Sequence, residues 1–131
     1  MISATCHCGA VQIELPFKPE SVTSCNCSIC RRLGARWAFF PVGTVRVTAQ
    51  AGATEEYMWG KRTRRFVRCR TCGCTTHVNP VSEKPESEVE VNVRLFEPTV
   101  LGQFRIRFFD GADTWKYIGE GGLGTVPDND A

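Results

Sequence analysis

Eight cysteines stand out in a chain of 131 residues, and seven of them fall into three tight groups. The groups are Cys6-His7-Cys8-Gly9, Cys25-Asn26-Cys27-Ser28-Ile29-Cys30 and Cys69-Arg70-Thr71-Cys72-Gly73, with Cys74 next in line. Close thiol pairs far apart in sequence, each followed by glycine, are the usual makings of a zinc site, because a reversing chain aims two sulfurs at one ion. Cys6 and Cys8 therefore pair with Cys69 and Cys72. Four thiolates around Zn²⁺ form a closed tetrahedron, a structural site whose binding energy becomes folding energy, and this one would close a loop of more than sixty residues.

The middle group reads differently. In an extended stretch Cys25 and Cys27 point to one face, and Cys30, after a turn into a short helix, swings back to the same centre. Three protein ligands with an open fourth position make a catalytic zinc site. The count thus predicts two zinc ions per chain, one structural and one catalytic. Three other readings compete: disulfides; a redox pair at Cys27 and Cys30 or at Cys69 and Cys72; and two structural sites, with Cys74, His77 or a distant residue completing the second. Cys74 alone reads as a small buried residue behind the knuckle. His7 reads as a surface or packing histidine, and His77 as a hydrogen-bonded structural residue or a general acid/base.

The elements that must position these thiols are short and extended. Val11, Ile13 and Leu15 alternate with polar residues, as do Val89, Val91, Val93 and Leu95, the period-two signature of half-buried strands. Residues 37–42, 44–48, 54–59, 65–69 and 75–79 are further strand-length pieces rich in β-branched or aromatic residues. The one helix expected here runs from Ser28 to Leu33, with Ser28 as N-cap and Gly34 as stop. Gly52, Gly60, Gly73 and Gly111 fall at turns that call for positive φ. Residues 80–88 read as a solvated loop. The fold class is mainly β, a single domain over residues 1–131, with an ordered core over residues 2–118 and a glycine-rich, acidic, loosely ordered tail over 119–131.

Composition bounds the partners. Hydrophobic residues at 42% and charged residues at 23% belong to a folded soluble chain, and a net charge of +2 carries no field suited to nucleic acid or membranes. The amino terminus has no apolar stretch for secretion and no run is long enough to span a bilayer, so a cytoplasmic location is expected, where cysteines stay reduced. Charge is nevertheless concentrated locally. Lys61, Arg62, Arg64, Arg65, Arg68 and Arg70 crowd ten positions, with Arg64, Arg68 and Arg70 expected on one strand face. This run is either a solvated strand edge or a contact surface for an acidic partner. Trp37, Phe39 and Phe40 read as core, with one ring available to wall the open zinc position.

The stretches CHCGAV (6–11), CNCSICRRLGA (25–35) and FVRCRTCGCTTH (66–77), with weaker similarity through NVRLFEP and FDGADTWKY, together resemble the glutathione-dependent formaldehyde-activating enzyme family, also called centromere-protein-V-like. The resemblance implies an Mss4-like zinc-stapled β fold and a carbon–sulfur lyase that adds the glutathione thiol to formaldehyde, giving S-hydroxymethylglutathione. It further implies structural zinc at Cys6, Cys8, Cys69 and Cys72 and catalytic zinc at Cys25, Cys27 and Cys30. The extra Cys74 departs from the pattern. Arg31 and Arg32, directly after the last ligand, are expected to offset the negative zinc–thiolate centre and to grip glutathione carboxylates. The alternative from another class is a non-enzymatic zinc-stabilised module that binds an acidic partner through its basic strand.

Overall fold

The structure is a computed structural model and describes residues 1–123. Its strands form two sheets. The smaller is antiparallel, in the order β1 (Ile2–Thr5), β2 (Val11–Leu15) and β5 (Arg46–Ala49). The larger comprises β3 (Ser21–Cys25), β4 (Trp37–Pro41), β6 (Thr54–Tyr57), β7 (Arg64–Cys69), β8 (Thr75–Pro80), β9 (Glu88–Asn92), β10 (Arg105–Phe109) and β11 (Tyr117–Leu123). Their order is β11-β10-β3-β4-β9-β8-β7-β6, and β3 and β10 run parallel where the other neighbours are antiparallel. The protein is therefore mainly β, as the short alternating segments predict.

Period-two alternation gives the large sheet two different faces. One face sends Val22, Ala38, Phe40, Val89, Val91 and Ile106 into the main core, where they meet Ile13 and Leu15 of the small sheet. The intervening residues, among them Thr23, Cys25, Trp37, Phe39 and Glu90, belong to the opposite face. One set of strands thus builds the core on one side and a site on the other.

The single helix beside the second cysteine group, α1 (Ser28–Leu33), has the expected span and stops at Gly34, which is left-handed at φ 65°. Its N-cap is Cys27 rather than Ser28: the Cys27 sulfur accepts the Cys30 N–H, so a thiol fills the capping role that sequence assigns to a hydroxyl. The strand expected to continue through Leu95 ends at Asn92. There the side-chain oxygen accepts from Arg94 N–H and the amide donates to Thr75 O, starting a 3-10 turn over Val93–Leu95. A second short helix, α2 (Pro98–Leu101), follows.

The carboxy-terminal boundary also needs correction. Residues 119–123, expected in a loose tail, belong to β11 and pair with β10, Gly119 opposite Phe108 and Leu123 opposite Arg105. Strand pairing supplies backbone hydrogen bonds that do not depend on large side chains, so glycine-rich composition misleads here. The rest of the predicted tail, residues 124–131, lies outside the described residues. Among those described, no helix is long and apolar enough to cross a membrane.

Candidate metal centres and the cavity beside them

The first centre forms where two hairpin tips meet. Between β1 and β2 the chain reverses with Gly9 at φ 87°, its N–H bonded to Cys6 O at 3.1 Å. Between β7 and β8 the same device recurs, with Gly73 at φ 78° and its N–H on Cys69 O at 2.9 Å. One tip belongs to the small sheet and the other to the large one. The sulfurs of Cys6, Cys8, Cys69 and Cys72 lie within 4.8 Å of one another. Cys8 Sγ sits 3.7 Å from Cys6 Sγ and 3.6 Å from Cys69 Sγ. A zinc–sulfur bond of about 2.3 Å gives a tetrahedron with edges of about 3.8 Å, so this donor set has the spacing of four thiolates around one ion.

Backbone N–H groups point at these sulfurs, Val11 N–H at Cys6 (3.3 Å) and Cys72 N–H at Cys69 (3.5 Å). Backbone donation, foremost from Cys74 N–H, holds the Cys72 thiol down at about 5. All eight cysteines are free, which removes the disulfide reading. Cys74 is half-buried and packs beside Cys6, Val11 and Cys69, outside the four-sulfur group. His7 is exposed.

The second centre gathers Cys25, Cys27 and Cys30, again with all three sulfurs within 4.8 Å. Cys25 closes β3, Cys27 caps α1, and Cys30 is the one residue α1 buries. The Trp37 indole N–H donates to Cys30 Sγ at 3.3 Å, and Cys27 N–H to Cys25 Sγ at 3.5 Å. The Cys25 thiol is lowered to about 6, chiefly by the Cys30 thiol and also by backbone donors including Gly111 N–H, while Cys30 is pushed up by its bond to Cys25 and by burial. Such a cluster releases its first proton near neutral pH and presents the charge a cation needs. Among the described residues no fourth Cys, His, Asp or Glu joins it. In particular His77 does not.

His77 is buried in β8, and its Nδ1 lies 2.8 Å from the Thr76 hydroxyl. That hydroxyl gives its single proton to Val67 O at 3.2 Å, so its oxygen accepts from Nδ1–H. Burial lowers the ring from 6.5 to about 4. Neutral, buried and outside the cavity wall, His77 is a structural residue, and the acid/base role that sequence allows it is not supported.

A cavity of about 810 Å³ opens beside the three-cysteine cluster. The outward face of the large sheet supplies Thr23, Cys25, Trp37, Phe39, Arg64, Phe66, Glu90 and Phe109, and the turn after β6 adds Trp59, Gly60, Lys61 and Thr63. Gly111 and Trp115 come from the β10–β11 connection, and Tyr117 from the start of β11. This connection is tied to the cluster: Asn26 donates to Asp110 Oδ1 at 3.0 Å and accepts from Ala112 N–H at 3.0 Å, and Asn26 N–H reaches Phe109 O at 3.2 Å. Gly111 is not the positive-φ turn glycine that sequence suggests. A Cβ there would stand 2.6 Å from Cys25 Sγ and 3.2 Å from Cys27 Cβ, so its lack of a side chain admits the sulfur.

Arg31 and Arg32 are exposed on α1 and do not line the cavity. The helix turns its buried side to Cys30 and sends both arginines outward, Arg32 folding back to donate to Ser28 O at 2.8 Å. The cations in the wall are Lys61 and Arg64, and Arg64 is ion-paired with Glu90. Burial pushes the Glu90 carboxyl up and the Arg64 charge opposes this, with the net shift upward. Sequence reading missed Glu90 because it looks like the polar half of an alternating strand. It missed Trp59 and Trp115 because both look like ordinary strand or turn residues.

The sequence profile of the glutathione-dependent formaldehyde-activating enzymes matches residues 1–105. A solved protein from Rhodobacter sphaeroides is also similar, at 40% identity and a TM-score of 0.63, covering 73% of this chain and 88% of its own. With two cysteine knuckles on a mainly β, Mss4-like fold, the chain belongs to the glutathione-dependent formaldehyde-activating enzyme family.

Two outcomes follow from this geometry. Above pH 6.5 His77 is neutral in folded and unfolded chain alike; as the pH falls from 6.5 toward 4 the unfolded chain takes up a proton that the folded chain refuses. Stability from this group is lost across that window by up to about 3 kcal/mol, and His77→Leu should lack that part of the slope in urea titrations compared pH by pH. Gly111→Ala should weaken cobalt(II) binding at the three-cysteine cluster by at least about tenfold and leave the four-cysteine site unchanged, as followed by thiolate-to-metal absorption.

Proposed function

We propose that this chain adds the thiol of glutathione to formaldehyde, giving S-hydroxymethylglutathione as a carbon–sulfur lyase does in reverse, and that it holds two zinc ions. In this reading Cys6, Cys8, Cys69 and Cys72 hold the structural ion, and Cys25, Cys27 and Cys30 hold the catalytic one. The observation that carries it is the three-sulfur cluster with no fourth side-chain donor among the described residues, opening directly on the cavity. When bound there, zinc supplies a Lewis-acid charge that lowers the pKa of an incoming thiol toward neutrality.

The remaining steps fall to the chain's own residues. Trp37 Nε1–H and the backbone donors fix the ligand sulfurs, so the open side faces the cavity rather than the core. The aromatic walls keep bulk water from the carbonyl carbon. The sulfur forms a bond to that carbon, the C=O π pair moves to oxygen, and the oxygen takes a proton. Glu90, the cavity carboxylate paired with Arg64, is the proposed proton relay: it accepts the proton the thiol gives up and delivers it to the developing alkoxide. Lys61, a cation in the cavity wall, would receive a glutathione carboxylate in place of Arg31 and Arg32, which lie outside it.

The binding-module alternative draws less support. Four of the six cations between Lys61 and Arg70 are already paired within the chain: Arg64 with Glu90, Arg65 with Glu56, and Arg68 and Arg70 both with Glu55. A cytoplasmic location remains the expectation from sequence.

Exchange-resolved NMR on glutathione and formaldehyde tests the reading. The zinc-loaded chain should accelerate adduct formation above the uncatalysed rate, and Glu90→Gln should lower that acceleration about a hundredfold. Cys27→Ser should abolish it, lose about one zinc and keep its circular dichroism, whereas Cys69→Ser should unfold. A wild-type rate equal to background, or the same collapse in both cysteine variants, contradicts the proposal.

A further inference from the structure

The cavity has to take glutathione as well as a one-carbon aldehyde, and much of its wall is aromatic rather than matched to a polar tripeptide. About 810 Å³ lies beside the cluster, room for the thiol and for a group larger than one carbon. Phe39, Trp59, Trp115 and Tyr117 line it from three separate segments, and each keeps 39–67% of its surface exposed. Exposed rings scattered singly carry no message, but four gathered around one concavity mark a surface that a ligand covers.

The rings are held in position. Trp115 sits at φ 59°, a left-handed conformation that a bulky residue adopts only when its surroundings impose it. Its N–H is bonded to Asp110 O at 2.8 Å, Asp110 is bonded to Asn26 and Thr114, and the Phe109 ring packs edge-on against Trp115 at 5.0 Å. Across the cavity Trp59 starts a tight turn closed by Arg62 N–H on Trp59 O at 2.9 Å, with Arg62 itself at φ 56°. Backbone strain spent on keeping two indoles at a cavity mouth is expected where they contact a ligand.

Charge narrows the ligand further. Arg64 is engaged by Glu90, which leaves Lys61 as the cavity cation without an ion pair among the described residues. One carboxylate of a glutathione-like thiol can be met there, and much of the remaining wall offers ring faces and edges.

Resting on the thiol-addition reading, we infer that the cavity takes the thiol adduct of an aldehyde bearing an aromatic ring, with that ring held among Phe39, Trp59 and Trp115. The chemistry is unchanged: the S–C bond forms, the C=O π bond breaks, the thiol proton ends on oxygen, and no oxidant or reductant takes part. Ring stacking of this kind distinguishes an aryl from a methyl substituent by about tenfold in affinity.

Calorimetric titration of the zinc-loaded full chain with S-benzylglutathione and S-methylglutathione, stable stand-ins for the aromatic and one-carbon adducts, tests the inference. The benzyl compound should bind about tenfold tighter. Trp59→Ala, and independently Trp115→Gly, which relieves the left-handed strain, should erase the preference while methyl binding persists as the control for folding. Equal affinities in the wild type, or a preference that survives both substitutions, overturn the inference and leave the thiol-addition reading standing. Absence of binding by either compound overturns that reading and the inference with it.

Discussion

Seven thiols drawn to two points are the constraint on which the rest of this structure depends. Sulfurs at 3.6–3.7 Å repel one another as thiolates unless a cation sits between them. At the four-sulfur point that requirement joins the β1–β2 tip of the small sheet to the β7–β8 tip of the large one. Beyond the core contacts of Ile13 and Leu15, this junction fixes the small sheet to the large one. At the three-sulfur point the same requirement leaves one direction unfilled, toward the cavity.

The large sheet reconciles a stable core with a reactive site by using both of its faces. In β9, Val89 and Val91 enter the core and Glu90 the cavity; in β4, Ala38 and Phe40 do the former and Phe39 the latter. A one-residue slip of either strand would exchange the two sets and lose both functions, so the register is strongly specified. The β10–β11 connection completes the arrangement. Asp110, kept ionised by bonds from Asn26 and Thr114, secures it to the ligand loop, and Gly111 leaves room for the Cys25 sulfur.

The two cysteine groupings were legible in the sequence because metal coordination is local chemistry: closely spaced thiols on a reversing chain aim their sulfurs at one point. The strand at residues 11–15 was legible because its alternation is likewise local, and the one at 75–79 because its β-branched residues suit an extended chain. The cavity wall was not, because it is assembled from β4, β7, β9, β10 and two connections that meet only through strand order. Adjacency in sequence pointed to Arg31 and Arg32, but the helix that buries Cys30 necessarily turns them outward. Glycine-rich composition pointed to a loose end at residues 119–123, but backbone pairing with β10 needs no large side chains. Gly111 was seen as a turn residue, whereas its constraint comes from a sulfur more than eighty positions away.

The asymmetry between the two centres is the central claim, and counting sulfur neighbours tests it most directly. X-ray absorption at the zinc edge of the fully loaded chain should report about 3.5 sulfurs per zinc, the mean of a four-thiolate and a three-thiolate site, with a lighter atom completing the shell. Four sulfurs per zinc at full occupancy of both sites would contradict the account, because the three-cysteine centre would then have no direction open to a substrate.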